Sequence, residues 1–100
     1  MAGTSEHEIA VAVMRIAANH PKGIATFKKL YSEIPNEVAL SATDWAPSTT
    51  RNGEPMWYQI VRNIQSHHDI EGNAIAEGWL NHVPRVGYEI TKAGRARIGI

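Results

Sequence analysis

The order of hydrophobic periodicities along this chain predicts an α+β fold of the winged helix-turn-helix class, three helices followed by a C-terminal β-hairpin wing. Three observations carry the expectation. Apolar residues recur at helical spacing in three separate segments before residue 70. Beyond Trp79 the period changes to two, in short runs on either side of Pro84-Arg85-Val86. The length of 100 residues is that of one ordinary domain, so residues 1–100 are read as a single winged-helix domain.

Taken in order, the first helix opens at Ser5, whose hydroxyl can accept the N3 amide while the Glu8 carboxylate reaches back, a capping box. Ile9, Ala12, Val13, Ile16 and Ala17 form its core stripe. Val11, Met14 and Ala18 fall outside that stripe. A helix apolar on two sides usually has two neighbours, so these three predict a homodimer or protein-partner contact through the first helix. His20-Pro21 ends the helix and Lys22-Gly23 turns the chain. Gly23-Ile24-Ala25 reads as a short strand.

Thr26 is the expected N-cap of a second helix carrying Phe27, Leu30, Tyr31 and Ile34 at the i, i+3, i+4, i+7 spacing, closed or bent by Pro35. Residues 36–55 read as irregular, with a possible helical turn at Glu37–Leu40 and with Trp45 pinning the loop to the core. Pro55 suits the first turn of a third helix. On that helix Trp57, Ile60, Val61, Ile64 and His68 share one stripe, with His68 at the core edge, and Trp57, Ile60 and Ile64 are expected to pack against Ile9, Val13, Ile16, Leu30 and Ile34. Gly72 breaks the pattern. Trp79–Val83 and Gly87–Thr91 are the two strands of the hairpin. Thr91 caps a last short helix over Lys92–Ile98.

Composition narrows the function classes. The chain is 43% apolar and 20% charged, which places it among globular proteins. No window approaches a membrane span, the start of the chain is polar and acidic, and there is no cysteine. A cytoplasmic location fits best. Ten basic residues balance ten acidic ones, which counts against nucleic-acid binding unless the basic groups cluster. The second half is slightly richer in them, with six basic and five acidic residues against four and five in the first.

The third helix offers the candidate site. Gln59, Arg62, Asn63 and Ser66 point away from its apolar stripe. Arg62 can pair bidentately with guanine, and Gln59 or Asn63 with adenine. The competing explanation is a solvated polar face of an amphipathic helix. Arg51, Arg85, Lys92, Arg95 and Arg97 could add phosphate contacts, with Arg85 favoured by its place at the hairpin tip and Arg51 by its loop. Of the aromatic residues, Tyr58 flanks the polar face and could stack on a base, whereas the tryptophans suit the core.

Enzyme chemistry finds no foothold. His67-His68-Asp69 and His82 invite a metal, but adjacent helical histidines diverge by about 100° and the i, i+4 pairing is missing. No Glu-x-Lys triplet, nucleophile elbow, Walker loop or dinucleotide fingerprint occurs. The sequence therefore predicts a non-catalytic chain with neither metal nor cofactor.

The segments from Leu40-Ser41 through Pro47-Ser48, then Trp57, Val61 and Arg62, and finally Gly87-Tyr88-x-Ile90-Thr91-x-x-Gly94-Arg95, resemble the N-terminal winged-helix domain of Mrr-type restriction endonucleases. Similar domains accompany other bacterial restriction and HNH proteins. The resemblance implies DNA binding, with the third helix in the major groove and the wing near the backbone. Two features depart from that pattern: no nuclease domain follows within this sequence, and Glu54-Pro55-Met56-Trp57 and Ser66-His67-His68 have no counterpart in it.

Two functions follow as expectations. One is a double-stranded DNA-binding module, either a small transcriptional regulator or a restriction-associated accessory protein, reading through Gln59, Arg62, Asn63, Ser66, Arg85 and Arg51. The other is a winged-helix protein–protein interaction domain without DNA binding.

Overall fold

The computed structural model describes residues 4–100. Among them are five α-helices, one 3-10 turn and a three-stranded antiparallel sheet, an α+β arrangement. Helix α1 (Glu6–Ala18) begins at the expected capping box: the Glu8 amide donates to Ser5 Oγ at 3.2 Å and the Ser5 amide to the Glu8 carboxylate at 3.4 Å. The 3-10 turn at Pro21–Gly23 leads into β1 (Ile24–Thr26), one residue later than the sequence predicts. Thr26 then caps α2 (Phe27–Glu37) as expected, accepting from the Lys29 amide. Pro35 does not close this helix, which continues through it to Glu37.

The segment before the third long helix differs from expectation. No turn forms at Glu37–Leu40; the helical turn is α3 (Ala42–Trp45). Its cause is a second capping box, in which Ser41 Oγ accepts from the Asp44 amide and the Asp44 carboxylate accepts from the Ser41 amide. Trp45 is half exposed, leaning edge-on against Trp57 at 5.7 Å. Helix α4 (Met56–Ser66) has Pro55 as its N-cap, where the missing amide costs nothing. The hairpin strands are β2 (Leu80–Val83) and β3 (Gly87–Ile90), and α5 (Lys92–Arg97) follows Thr91.

Strand order is β1-β3-β2, which makes β3 the central strand, paired with β1 through Ala25↔Tyr88 and with β2 through His82↔Tyr88. Gly87 faces partners on both sides, Thr26 and Val83, and a Cβ there would collide with the Ala25 carbonyl. The glycine is therefore required by close backbone approach. Helix α1 packs on α2, α4 and the sheet, and the core they share contains Ile9, Val13, Leu30, Ile34, Trp57, Val61, Ile64 and Tyr88.

Three expectations about this core need correction. Met14 is fully buried by its own chain, because α1 is surrounded by α2, α4, the sheet and α5, so it offers no surface to a second subunit. Val11 and Ala18 are half-buried against the same core. Ile60 is half-buried where full burial was expected, since it lies at the side of the Trp57–Val61–Ile64 stripe, beside Thr4, Thr43 and Met56. His68 is exposed and lies beyond the end of α4, with Nδ1 3.0 Å from the Gln65 carbonyl; the helix stops at Ser66 before its stripe reaches that position. Among the described residues no helix is long and apolar enough to cross a membrane.

Candidate functional site

The face of α4 turned away from α1 forms one wall of a cleft of about 600 Å³. Gln59, Arg62, Asn63 and Ser66 line it, at the helical spacing the sequence predicts. The opposite wall comes from α2 and the hairpin, which contribute Phe27, Tyr31, His82 and Tyr88. The loop between α3 and α4 closes one side. An isolated bridge between Pro47 and Pro55 pinches its base, and Ser48 Oγ accepts from the amides of Thr50 and Arg51. That turn carries Arg51 to the rim of the cleft.

Five of the six predicted residues thus meet in one place: Arg51, Gln59, Arg62, Asn63 and Ser66. Arg85 does not line the cleft. It sits exposed at the hairpin tip with φ of 67°, in a turn closed by the Val86 amide on the Val83 carbonyl. Few non-glycine residues take a positive φ, and Pro84 before it gives the pattern of a type II turn, which favours glycine at that position. The Phe27 amide donates to the Val86 carbonyl at 2.9 Å, so the start of α2 abuts the hairpin tip. Lys28 and Lys29, exposed in the first turn of α2, therefore lie at the same end of the molecule as Arg85.

Arg62 is not the freely solvated side chain that the helical wheel suggests. Its guanidinium lies 3.0 Å from Glu54, and the two side chains are only 26% and 30% exposed. The Glu54 oxygen in that contact is buried and has no aligned hydrogen bond, so the pair is held by charge more than by directed bonding. The Tyr31 phenol stands beside both groups. Burial raises its pKa above the ordinary tyrosine value, with Arg62 opposing the shift and Glu54 adding to it. Tyr31 also stacks on Tyr58 at 3.9 Å with planes 8° apart, so one face of Tyr58 is already covered.

Charge is distributed unevenly. The residues lining the cleft include two guanidinium groups and no carboxylate. Glutamates gather instead around the N-terminal end of α1, where Glu6, Glu8, Glu37 and Glu71 line two other grooves. There His67 Nδ1 lies 2.7 Å from Glu6, and the buried Asn73 amide bridges Glu6 to the Ile64 carbonyl. His68 and His82 line one groove with Gln65 and Ile75, which His67 does not join, and among the described residues no group of three metal-ligating side chains converges. Arg97 lies over the Trp79 ring at 5.1 Å and Arg95 runs beside Gly23, so neither reaches the cleft.

Sequence reasoning missed the α2 and hairpin wall. Phe27 and Tyr31 look like plain core residues at helical spacing, and His82 draws attention only as a metal ligand. The usable signal is strand alternation, which puts His82 on the same sheet face as its cross-strand partner Tyr88. The chain matches no protein-family model, no curated protein and no solved structure.

Proposed function

We propose that this chain is a winged-helix module that binds duplex DNA without catalysing a reaction, with α4 as the base-reading helix and the β2–β3 hairpin as the wing. The observation that carries the proposal is the convergence of Arg51, Gln59, Arg62, Asn63 and Ser66 on one cleft whose lining has no carboxylate. Guanidinium and amide groups on one helix face are the side chains that read guanine and adenine edges in the major groove. The element order α1-β1-α2-α4-β2-β3 and the strand order β1-β3-β2 support the winged-helix assignment.

Arg85 supports the wing. A positive φ favours glycine, and keeping an arginine there costs conformational energy that a contact made by the side chain would offset. Zero net charge is less of an obstacle when the cleft lining itself carries two guanidinium groups and no carboxylate.

Fluorescence anisotropy with random-sequence duplex at several salt concentrations tests the proposal. Binding should weaken as salt rises, because neutralised phosphates release counterions. Absence of salt-dependent binding at low ionic strength would remove the DNA function. It would leave the interaction-domain alternative, which the neutralised Arg62 and the aromatic wall of the cleft favour.

A further inference from the structure

Glu54 has a place in the DNA-binding reading that the reading itself does not use. It sits in the loop leading into α4, its carboxylate 3.0 Å from the guanidinium of Arg62, at the edge of a cleft otherwise free of carboxylates. The loop is fixed without help from this side chain. The Ser48 amide donates to the Glu54 carbonyl at 2.8 Å, and the Glu54 amide donates to the Arg51 carbonyl. The carboxylate is therefore not needed to shape the loop, and its contacting oxygen is buried without an aligned hydrogen bond. A carboxylate oxygen kept out of water without a directed bond costs free energy unless its charge has a use.

Resting on the DNA-binding reading, we infer that Glu54 occupies Arg62 as a stand-in for the acceptor pair of a base edge, so that engaging duplex at this cleft exchanges the carboxylate for guanine O6 and N7 on the same guanidinium. Arginine pairs bidentately with a carboxylate and with the guanine edge through the same forked donors, which makes the two interchangeable partners. Three consequences follow. The free protein holds its central cation neutralised, which limits indiscriminate association with polyanions. Binding releases Glu54 as an uncompensated negative charge beside the DNA backbone. Only a ligand that supplies other contacts, through Gln59, Asn63 or Arg85, recovers that loss, so the exchange raises selectivity at the expense of affinity.

The test compares wild type, Glu54→Gln and Glu54→Ala on random-sequence duplex by anisotropy across a salt series. Glu37→Gln, which removes an exposed carboxylate near the start of α1, controls for net charge. Thermal melts establish which variants are folded, and either Glu54 variant alone suffices. Both Glu54 variants should bind about threefold tighter or more, with a salt slope steeper by up to about 1, and Glu37→Gln should gain less. In an Arg62→Ala background the gain from Glu54→Gln should disappear. A wild type that binds in a salt-dependent manner, with Glu54 variants no tighter, overturns the exchange and leaves the DNA function standing. A gain that persists without Arg62, or that Glu37→Gln equals, also overturns it. If neither wild type nor the Glu54 variants bind, the DNA function itself fails and the exchange falls with it.

Discussion

The hydroxyl of Tyr88 donates to the carbonyl of Val61 at 2.6 Å and accepts from the Gln65 amide at 3.1 Å. That amide and that carbonyl stand four residues apart, the partners of one step of the α-helical ladder. The phenol therefore spans one step of the α4 ladder and ties the central strand to the helix that lines the cleft. Its ring is fully buried, and burial raises its pKa well above the ordinary tyrosine value, so it remains a neutral donor.

Tyr88→Phe keeps the ring and removes the link. Loss of a buried hydrogen-bonding hydroxyl should cost about 1–3 kcal/mol. In a chain of this size each kcal/mol lowers the melting temperature by roughly 4–8 °C. Calorimetry or thermal circular dichroism reads this directly. An unchanged midpoint would mean that the helix holds this step without the phenol.

Asp44 links the N-terminal segment to α3. Its carboxylate is buried and accepts from the amide and hydroxyl of Thr4, at 2.9 and 2.7 Å, and from those of Ser41, at 2.8 and 3.0 Å. Burial pushes its pKa up, but these donors outweigh burial and hold it below the ordinary carboxylate value. The unfolded chain therefore takes up this proton before the folded one does. The stabilisation is complete above the unfolded pKa, near pH 4, and drains away as pH falls through the folded one.

Asp44→Asn should therefore destabilise the protein at pH 7 by about 1–3 kcal/mol, with the deficit shrinking at acid pH. Denaturant midpoints at pH 7 and near pH 3 provide the check. Parallel pH profiles for wild type and variant would show that the carboxylate contributes no pH dependence.

The two isoleucines of α4 should separate in the same kind of experiment. Ile64 is fully buried, and Ile64→Ala should cost about 2–5 kcal/mol. Ile60 is half-buried at the side of the stripe, and Ile60→Ala should cost nearer about 1 kcal/mol. Equal losses at the two positions would contradict the orientation of α4.

Most elements were legible because their signals are local. The Ser5–Glu8 box, the Thr26 cap and the change of period at Trp79 each lie within a few residues of what they specify. Even Ser41-x-x-Asp44 was readable by the rule applied at Ser5, although a shorter carboxylate serves there. What the sequence hid depends on distant partners. Met14 looks outward on a helical wheel, and only the arrangement of α2, α4, the sheet and α5 around α1 buries it. Arg62 looks free until the loop brings Glu54 against it. Gly94 weakens a helix by propensity, yet its missing side chain lets α5 pass the Trp79 carbonyl.

On the DNA-binding proposal, the basic residues of the candidate site have roles that binding experiments can tell apart. Arg62 faces the cleft from the middle of α4, so Arg62→Ala should relax sequence preference and cost about 1–3 kcal/mol at a preferred site. Selection from a random duplex library supplies that site. Arg51 on the loop and Arg85 on the hairpin tip stand where phosphates would pass, so their loss should weaken all sequences alike. Each should lower the salt slope by roughly 1. For Arg85 the informative substitution is Arg85→Gly, since glycine accepts the positive φ that arginine holds at 67°. That variant should be as stable as wild type or more so while binding more weakly, which separates the role of the guanidinium from that of the fold. A gain in stability with no loss of binding would remove the hairpin tip from the interface. A sequence-independent loss at Arg62 would make α4 a backbone-tracking element instead of a reading helix.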